Sequence, residues 1–280
     1  MLPQITAFDG EEHHAFTLNG GRPAALLIHG FPGTPDEMRP LAQSLHAAGW
    51  TTRTILLPGF GPEINDVLDR GYEDWRRAVH AALHELRQDH RPVLVIGNSM
   101  GGALAVQAAA QVGVDGLVLL APFYRLNHVL WTLLPALKVV FPRFRPFRVM
   151  KPNFDDPEFR EGILNFMPDL DLDDPDTQDA VREFAVPVRL FAHIRKAGQM
   201  AYRAAPKIEQ PALVIQGRQD NLVNPENTGK LIKQLRGPVN YLAVEAEHDL
   251  VRDDRPAWSQ VEEAVLQFAQ ERVNMSERIT

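Results

Sequence analysis

One serine of this chain lies in a sequence pattern that makes serine hydroxyls reactive. Residues Gly97 to Gly101 read G-N-S-M-G and match the pattern G-x-S-x-G, between a strand-like run and an alanine-rich helical run. In that context the pattern predicts a sharp strand-to-helix turn that presents the serine at the tip of a sheet. The two glycines leave room for the helix to pack closely on the strand. Ser99 is therefore the candidate nucleophile, and the chemistry it indicates is acyl transfer.

A serine nucleophile needs a base, and the base needs an acid that orients it. In a sheet of this kind the acid and then the histidine follow the serine along the chain. Asp220 and His248 each follow a strand-like run by a few residues, which is the strand-end position that these roles require. We disfavour His193, which falls in an apparent insertion, and Asp249, which is adjacent to the histidine. Ser99, Asp220 and His248 form the predicted triad.

Attack on a carbonyl creates a negative oxygen, which backbone N–H groups stabilise. The N–H of Met100 follows the nucleophile at a helix N-terminus, where such donors point outward. A second donor is expected in the loop after the first core strand, which reads H-G-F-P-G over residues 29–33. Pro32 has no N–H, so the backbone of Phe31 is the candidate. His29 closes the preceding strand, and we interpret it as structural.

The elements that must position these groups alternate between strands and helices. Several strand-like runs are apolar at consecutive positions, which is typical of strands covered on both faces. The alternation predicts an α/β fold with a mostly parallel sheet and helices on both faces. The strand, G-x-S-x-G turn and helix around Ser99 make an α/β-hydrolase fold the expected form of it. Before the first helical run, Thr34 and Glu37 have the spacing of a capping box, with Pro35 between them. The strand-like runs are 24–29, 51–57, 93–97, 116–121, 212–216 and 239–244.

The alternation stops at Pro122 and resumes at Ala212. We interpret residues 122–206 as an inserted, largely helical cap, which divides the core into residues 1–121 and 207–280. The first part of the insertion is basic and rich in apolar side chains, and a later part is acidic. Apolar residues of the cap are expected to line an acyl pocket, namely Trp131, Leu133, Leu134 and Phe141.

The bulk composition excludes several classes of protein. The chain has 280 residues, a formal net charge of −7 and no cysteine, so disulfides, thiol nucleophiles and cysteine metal sites are excluded. The acidic balance disfavours nucleic acid as a partner. The apolar run 129–141 is shorter than the roughly 20 residues that span a membrane. Together with an N-terminus that lacks the pattern of a secretory signal, these features favour a cytoplasmic protein, and we predict no metal site.

The motifs together resemble bacterial carboxylesterases and monoacylglycerol lipases of the α/β-hydrolase superfamily. The likeness spans roughly residues 24–270, and the cap matches only loosely. The segments that carry it are LLIHGFPGTPDEMRPLAQSLHAAGW, LPGFG, DWRRAVHAAL, VIGNSMGG, PKIEQPALVIQGRQDNLVNPENT and AEHDLVRDD. The resemblance implies the same triad, an oxyanion hole at Phe31 and Met100, and no cofactor.

The resemblance also implies that the substrates are esters of short to medium acyl chains, or monoacylglycerols. Two positions depart from the family pattern and leave the acyl and alcohol preference open. Phe60 stands where relatives often have histidine, and Glu247 stands where they often have serine or glycine. We expect a small-molecule ester or monoglyceride as binding partner, with transient contact between the cap and a lipid surface. The oligomeric state is left open.

Other activities fit the same three side chains. A thioesterase, an amidase and a carbon–carbon bond hydrolase all use this triad. A member of a different class, a catalytically silent α/β-hydrolase that serves as a binding module, usually lacks one of the three. Because this chain has candidates for all three, an ester hydrolase is the favoured function.

Overall fold

The computed structural model describes residues 8, 10–67, 69–126, 143–144, 152–164, 171–183 and 186–278 of the 280. The described strands are β1 (Phe16–Leu18), β2 (Ala24–Ile28), β3 (Thr51–Ile55), β4 (Val93–Asn98), β5 (Gly116–Leu120), β6 (Arg143–Phe144), β7 (Val186–Pro187), β8 (Ala212–Gly217) and β9 (Val239–Val244). Seven of them form one sheet in the order β1-β3-β2-β4-β5-β8-β9, and the other two, β6 and β7, form a short antiparallel pair.

The predicted α/β-hydrolase class, with a mostly parallel sheet, is confirmed. Within the seven-stranded sheet, β1 pairs antiparallel with β3 and the other neighbours pair in parallel. The described α-helices are α1 (Arg39–Ala47), α2 (Tyr72–Asp89), α3 (Met100–Val112), α4 (Pro157–Leu164), α5 (Pro175–Glu183), α6 (Val188–Ala204), α7 (Pro225–Ile232) and α8 (Trp258–Glu277). The central strands β2, β4, β5 and β8 are buried at every position, as their unbroken apolar runs require.

The two faces of the sheet carry separate apolar cores because successive side chains of a strand point to opposite sides. Leu26 of β2 packs in the core that α2, α3 and α6 cover, whereas its neighbour Leu27 packs in the core that α1 and α8 cover. Trp75 of α2 is fully buried in the first core, and Phe268 of α8 is buried in the second. The helices thereby hold the strands, and with them the strand ends, in fixed positions.

The capping box predicted before α1 is half confirmed: Thr34 is the N-cap and Pro35 follows it at the start of the helix, but Glu37 makes no return bond. A short 3₁₀ helix, Pro35–Met38, precedes α1, and the hydroxyl of Thr34 accepts a hydrogen bond from the backbone N–H of Asp36 at 3.4 Å. The Glu37 carboxylate does not return to Thr34; it accepts a hydrogen bond from the backbone N–H of Gly30. That N–H follows the end of β2 and is not used by the sheet, so it takes the carboxylate instead.

The later part of the predicted cap packs on the core. Helix α6 places Ile194, Ala197 and Ala201 in the same apolar core as α2 and α3. A Cβ at Gly198 would overlap the backbone of Tyr124, so this helix approaches the chain that leaves β5 closely. The division at residues 122 and 206 stays a prediction. The residues predicted to line the acyl pocket lie outside the part of the chain that the structure describes; they are Trp131, Leu133, Leu134 and Phe141.

Among the residues that the structure describes, no helix is both long and apolar enough to cross a membrane.

Candidate active site

The three predicted side chains follow three parallel strands at the same edge of the sheet. Ser99 comes directly after β4, Asp220 follows β8 and His248 follows β9. Because the carboxyl ends of parallel strands meet at one edge, groups that are about 150 residues apart along the chain come within reach of one another.

Ser99 lies in a strained turn that the surrounding backbone holds in place. Its φ of 49° and ψ of −112° are rarely adopted by residues other than glycine. Its N–H donates to the carbonyl of Leu120 at 2.9 Å, and its carbonyl accepts from the N–H of Phe123 at 3.1 Å. A Cβ at Gly97 or Gly101 would overlap backbone atoms of neighbouring segments. The turn therefore needs glycine at both positions, as the motif predicts.

The hydroxyl, the imidazole and the carboxylate form one hydrogen-bonded chain. Nε2 of His248 lies 3.0 Å from Oγ of Ser99, and Nδ1 of the same ring lies 2.8 Å from Oδ2 of Asp220. An ionised carboxylate only accepts hydrogen bonds, so Nδ1 carries the proton and Nε2 is free to accept from the serine hydroxyl. The Asp220 side chain is fully buried and the imidazole is partly exposed. This is the geometry in which an imidazole can take a proton from a serine.

Asp220 is held by donors on both oxygens. Oδ1 accepts from the backbone N–H groups of Leu222 and Val223, at 2.9 and 2.7 Å. Oδ2 accepts from Nε2 of Gln216 at 3.0 Å as well as from His248. These four hydrogen bonds hold the carboxylate in a single orientation, in which Oδ2 faces the imidazole.

The loop of residues 29–33, called the oxyanion loop below, lies against the nucleophile. A Cβ at Gly30 would lie 3.3 Å from Cβ of Ser99. Within the described part of the chain, neither the N–H of Phe31 nor that of Met100 donates a hydrogen bond. Both are the predicted oxyanion donors, and both adjoin the serine: one through this loop and the other through the first residue of α3.

His29 sets the direction in which the N–H of Phe31 points. Its Nε2 accepts from the backbone N–H of Leu57 at 3.0 Å, so its Nδ1 is protonated and donates to the carbonyl of Gly30 at 2.8 Å. Across a trans peptide bond the carbonyl and the next N–H point in opposite directions. Burial lowers the pKa of His29 to about 4, so the ring is neutral near pH 7. His29 therefore has the structural role that its position at a strand end predicts.

The two departures from the family pattern lie in different environments. Phe60 is fully buried and packs edge-on against the rings of His29 and Phe31, with centroids 5.4 and 5.9 Å apart. It also contacts Trp75 of α2, so it supports the oxyanion loop from below. Glu247 is exposed beside His248.

Sequence reasoning missed four residues that hold the site. Glu37 binds the oxyanion loop and Asn98, while Gln216 binds the acid and in turn accepts from Thr228. The spacing of Glu37 matched a capping box, and Gln216 looked like the last residue of a strand. A polar residue at the end of an otherwise apolar strand, four positions before the acid, was the available signal for Gln216.

In the portion of the chain that the structure describes, no group of three or more histidine, aspartate or glutamate side chains is placed to hold a metal ion.

Comparison with known proteins gives a consistent family. The family model described as serine aminopeptidase, S33, matches residues 21–255. A thermostable monoacylglycerol lipase of Bacillus sp. (strain H-257) is 36% identical over 109 residues, which are 39% of this chain and 43% of the lipase. A carboxylesterase of Bacillus subtilis (strain 168) is 24% identical over 252 residues, which are 85% of this chain and 93% of the esterase.

Solved structures share the fold. One of the metagenome-derived lipolytic enzymes LipS and LipT superposes with a TM-score of 0.73 at 23% identity, covering 93% of this chain and 98% of that chain. The monoacylglycerol lipase of Paleococcus ferrophilus superposes with a TM-score of 0.66 at 17% identity, covering 92% and 99%. At these identities the likeness establishes the fold alone.

Proposed function

The chain belongs to the family described as serine aminopeptidase, S33, and is a serine hydrolase; we propose that it cleaves carboxylic esters of short to medium acyl chains or monoacylglycerols. We propose Ser99 as the nucleophile, His248 as the base and Asp220 as the orienting acid. The observation that supports these roles is the imidazole whose two nitrogens lie 3.0 Å from Oγ of Ser99 and 2.8 Å from Oδ2 of Asp220. The names of the lipase and esterase relatives support the ester substrate class.

In the first half of the reaction, Oγ of Ser99 attacks the ester carbonyl carbon while Nε2 of His248 takes the hydroxyl proton. The carbonyl oxygen becomes negative, and the N–H groups of Phe31 and Met100 donate to it. Removal of one such donor typically costs about 10²–10³ in rate. The carbon–oxygen bond to the alcohol then breaks, and the imidazolium returns its proton to the departing alcohol.

In the second half, water attacks the acyl-enzyme. Nε2 of His248 takes a proton from the water as its oxygen bonds to the acyl carbon, and the same two N–H groups hold the new oxyanion. The bond to Oγ of Ser99 breaks, the serine recovers its proton from the imidazolium, and the carboxylic acid leaves. Asp220 stays ionised throughout and stabilises the positive ring in both halves.

Thioesters and amides can be cleaved by the same chemistry, so the substrate panel must distinguish them from esters. The panel contains p-nitrophenyl esters from acetate to palmitate, a monoacylglycerol, an acyl thioester and an amino-acid p-nitroanilide, because the family is described as an aminopeptidase. We expect ester and monoacylglycerol turnover to exceed amide turnover. A preference for the anilide or the thioester would reassign the substrate class while keeping the nucleophile.

The nucleophile is tested with a fluorophosphonate probe and two serine variants. We expect the wild type to be labelled and Ser99→Ala to be neither labelled nor active. Ser259→Ala removes an exposed hydroxyl of α8 and is the matched control, which should keep both properties. Turnover that survives Ser99→Ala would refute the assignment, and a wild type without labelling or turnover on every substrate would favour the silent binding module.

A cytoplasmic location and transient contact of the cap with lipid remain part of the proposal. Cell fractionation and co-sedimentation with vesicles of the substrate lipid test them separately.

A further inference from the structure

The carboxylate of Glu37 lies where two neighbouring strands stop hydrogen-bonding to each other. The ladder between β2 and β4 ends at the pair Ile28 and Gly97. Beyond that pair, Oε1 of Glu37 accepts from the backbone N–H of Gly30 and from Nδ2 of Asn98, the latter at 3.1 Å. One carboxylate oxygen therefore joins the two chain segments across the gap that the ladder leaves open.

Both partners of Glu37 adjoin atoms to which the proposed function gives a role. The N–H of Gly30 belongs to the peptide group just before the one that carries the N–H of Phe31. Asn98 directly precedes Ser99. A movement of the oxyanion loop relative to this strand would change the distance between the oxyanion donor and the nucleophile, which the sheet itself no longer sets.

The environment of Glu37 is electrostatically mixed. The titratable groups that face it are His248 and Asp249, both in the loop after β9, while the oxyanion loop and β4 contribute the neutral donors described above. Burial raises the pKa of Glu37 to about 7; the bonds from Gly30 and Asn98 lower it, Asp249 raises it and His248 lowers it, each by less. The ionised carboxylate accepts stronger hydrogen bonds than the neutral acid.

We propose that Glu37 is a positioning residue whose ionised carboxylate clamps the oxyanion loop to the strand that carries the nucleophile. The proposal rests on the ester-hydrolase function proposed above. Without the clamp the N–H of Phe31 drifts from the position that the transition-state oxygen occupies. The transition state loses more stabilisation than the bound substrate does, so kcat falls and KM changes little.

The clamp is tested with Glu37→Ala, and Asp36→Ala is the matched control. Asp36 lies in the same 3₁₀ helix but makes a partly exposed ion pair with Arg39. We expect Glu37→Ala to lose about tenfold to 100-fold in kcat, as a misplacement of about 1 Å does. KM should stay within about threefold, and Asp36→Ala should resemble the wild type. A folded Glu37→Ala enzyme, with the melting temperature of the control and unchanged kcat, would overturn the clamp.

The need for the charge is tested with Glu37→Gln over a range of pH. Glutamine keeps the length and one acceptor oxygen, so it imitates the neutral carboxylic acid. We expect the ratio of wild-type to Glu37→Gln kcat/KM to approach one below pH 6 and to reach about tenfold above pH 8. A merely structural role would make this ratio independent of pH, and a constant ratio would overturn the requirement for the ionised form.

These outcomes are distinguishable from failure of the proposed function. A wild type that turns over none of the substrates and is not labelled by the fluorophosphonate refutes the ester-hydrolase function itself. A wild type that is labelled and active, with Glu37→Ala and Glu37→Gln indistinguishable from it at every pH, refutes only the role of Glu37.

Discussion

The hydroxyl of Thr228 donates to Oε1 of Gln216 at 2.6 Å, and both side chains are completely buried. Because Oε1 of Gln216 faces α7, Nε2 of the same amide points away from that helix and toward Asp220. There it donates to Oδ2 of Asp220 at 3.0 Å and to the carbonyl of Val223 at 3.1 Å. The hydrogen-bonded chain of the site therefore extends beyond the three predicted side chains to Thr228 of α7.

The first prediction concerns this support of the acid. Gln216→Leu removes a hydrogen-bond donor from Asp220 and leaves the buried hydroxyl of Thr228 without its acceptor. The unpaired hydroxyl should lower the free energy of unfolding by about 1–3 kcal/mol. We expect kcat/KM to fall about tenfold to 100-fold, which is the size of the loss when a hydrogen-bonding partner of a metal-binding side chain is removed from other active sites. Steady-state kinetics and urea unfolding measure both effects. Thr228→Ser keeps the hydroxyl and is the control, and a Gln216→Leu enzyme with unaltered kcat/KM would contradict the role.

The second prediction concerns the strain at the nucleophile. A side chain at φ 49° and ψ −112° costs about 1–3 kcal/mol, which glycine avoids because it has no Cβ. Ser99→Gly and Ser99→Ala lose the same hydroxyl and its bond to His248, so their difference isolates the strain. Glycine also makes the unfolded chain more flexible, which offsets part of this gain in stability. The net expectation is that Ser99→Gly is more stable than Ser99→Ala by about 1 kcal/mol, or about 2–4 °C in melting temperature.

Calorimetry of the two inactive variants decides this second point. Equal melting temperatures would mean that the strain at residue 99 only offsets the extra flexibility of the unfolded chain. A Ser99→Gly variant that is less stable than Ser99→Ala by about 0.4–1 kcal/mol, the full cost of that flexibility, would mean that the turn is not strained in solution.

Local patterns allowed prediction of the parts of this molecule that depend on neighbouring residues along the chain. The motif around Ser99 requires its own strand, turn and helix, and all three are present. The role of Glu37 was not predictable from its spacing to Thr34, because the deciding feature is an unused N–H at Gly30 that exists only once β2 and β4 are paired. Gln216 likewise acquires a role only when α7 places Thr228 beside it. Such contacts are set by tertiary packing, which a one-dimensional pattern does not contain.

The third prediction concerns the pH dependence of stability, in which two buried groups act in opposite directions. The pKa of His29 is about 4 in the folded chain and 6.5 ordinarily, so the unfolded chain binds its proton first and stability is lost as the pH falls from 6.5 to 4. The pKa of Glu37 is about 7 against an ordinary 4.5, so the folded chain binds its proton first. Its contribution to stability is therefore lost as the pH rises from 4.5 to 7.

Between pH 4.5 and 6.5 the two contributions oppose each other, and single variants should expose them. His29→Asn keeps a donor toward the carbonyl of Gly30 and removes the titration, so its stability should decline with rising pH relative to the wild type. Glu37→Gln should show the reverse, a stability that rises with pH relative to the wild type. Each slope is on the order of 1.4 kcal/mol per pH unit. Urea unfolding at several pH values measures them, and parallel curves for all three proteins would contradict the assignment.

The last prediction tests the Glu37 clamp by a substitution at a neighbouring residue, Gly33. A Cβ at Gly33 would overlap the Glu37 carboxylate, and the backbone there does not require glycine. Gly33→Ala should therefore keep the fold and push the carboxylate off Gly30. We expect its kcat to fall about as far as that of Glu37→Ala, and the double variant to be no worse than either single, because coupled changes are not additive. Gly229→Ala of α7 is the control, since nothing lies within 4 Å of its Cβ position. Additive losses in the double variant would show that Gly33 and Glu37 affect the rate independently.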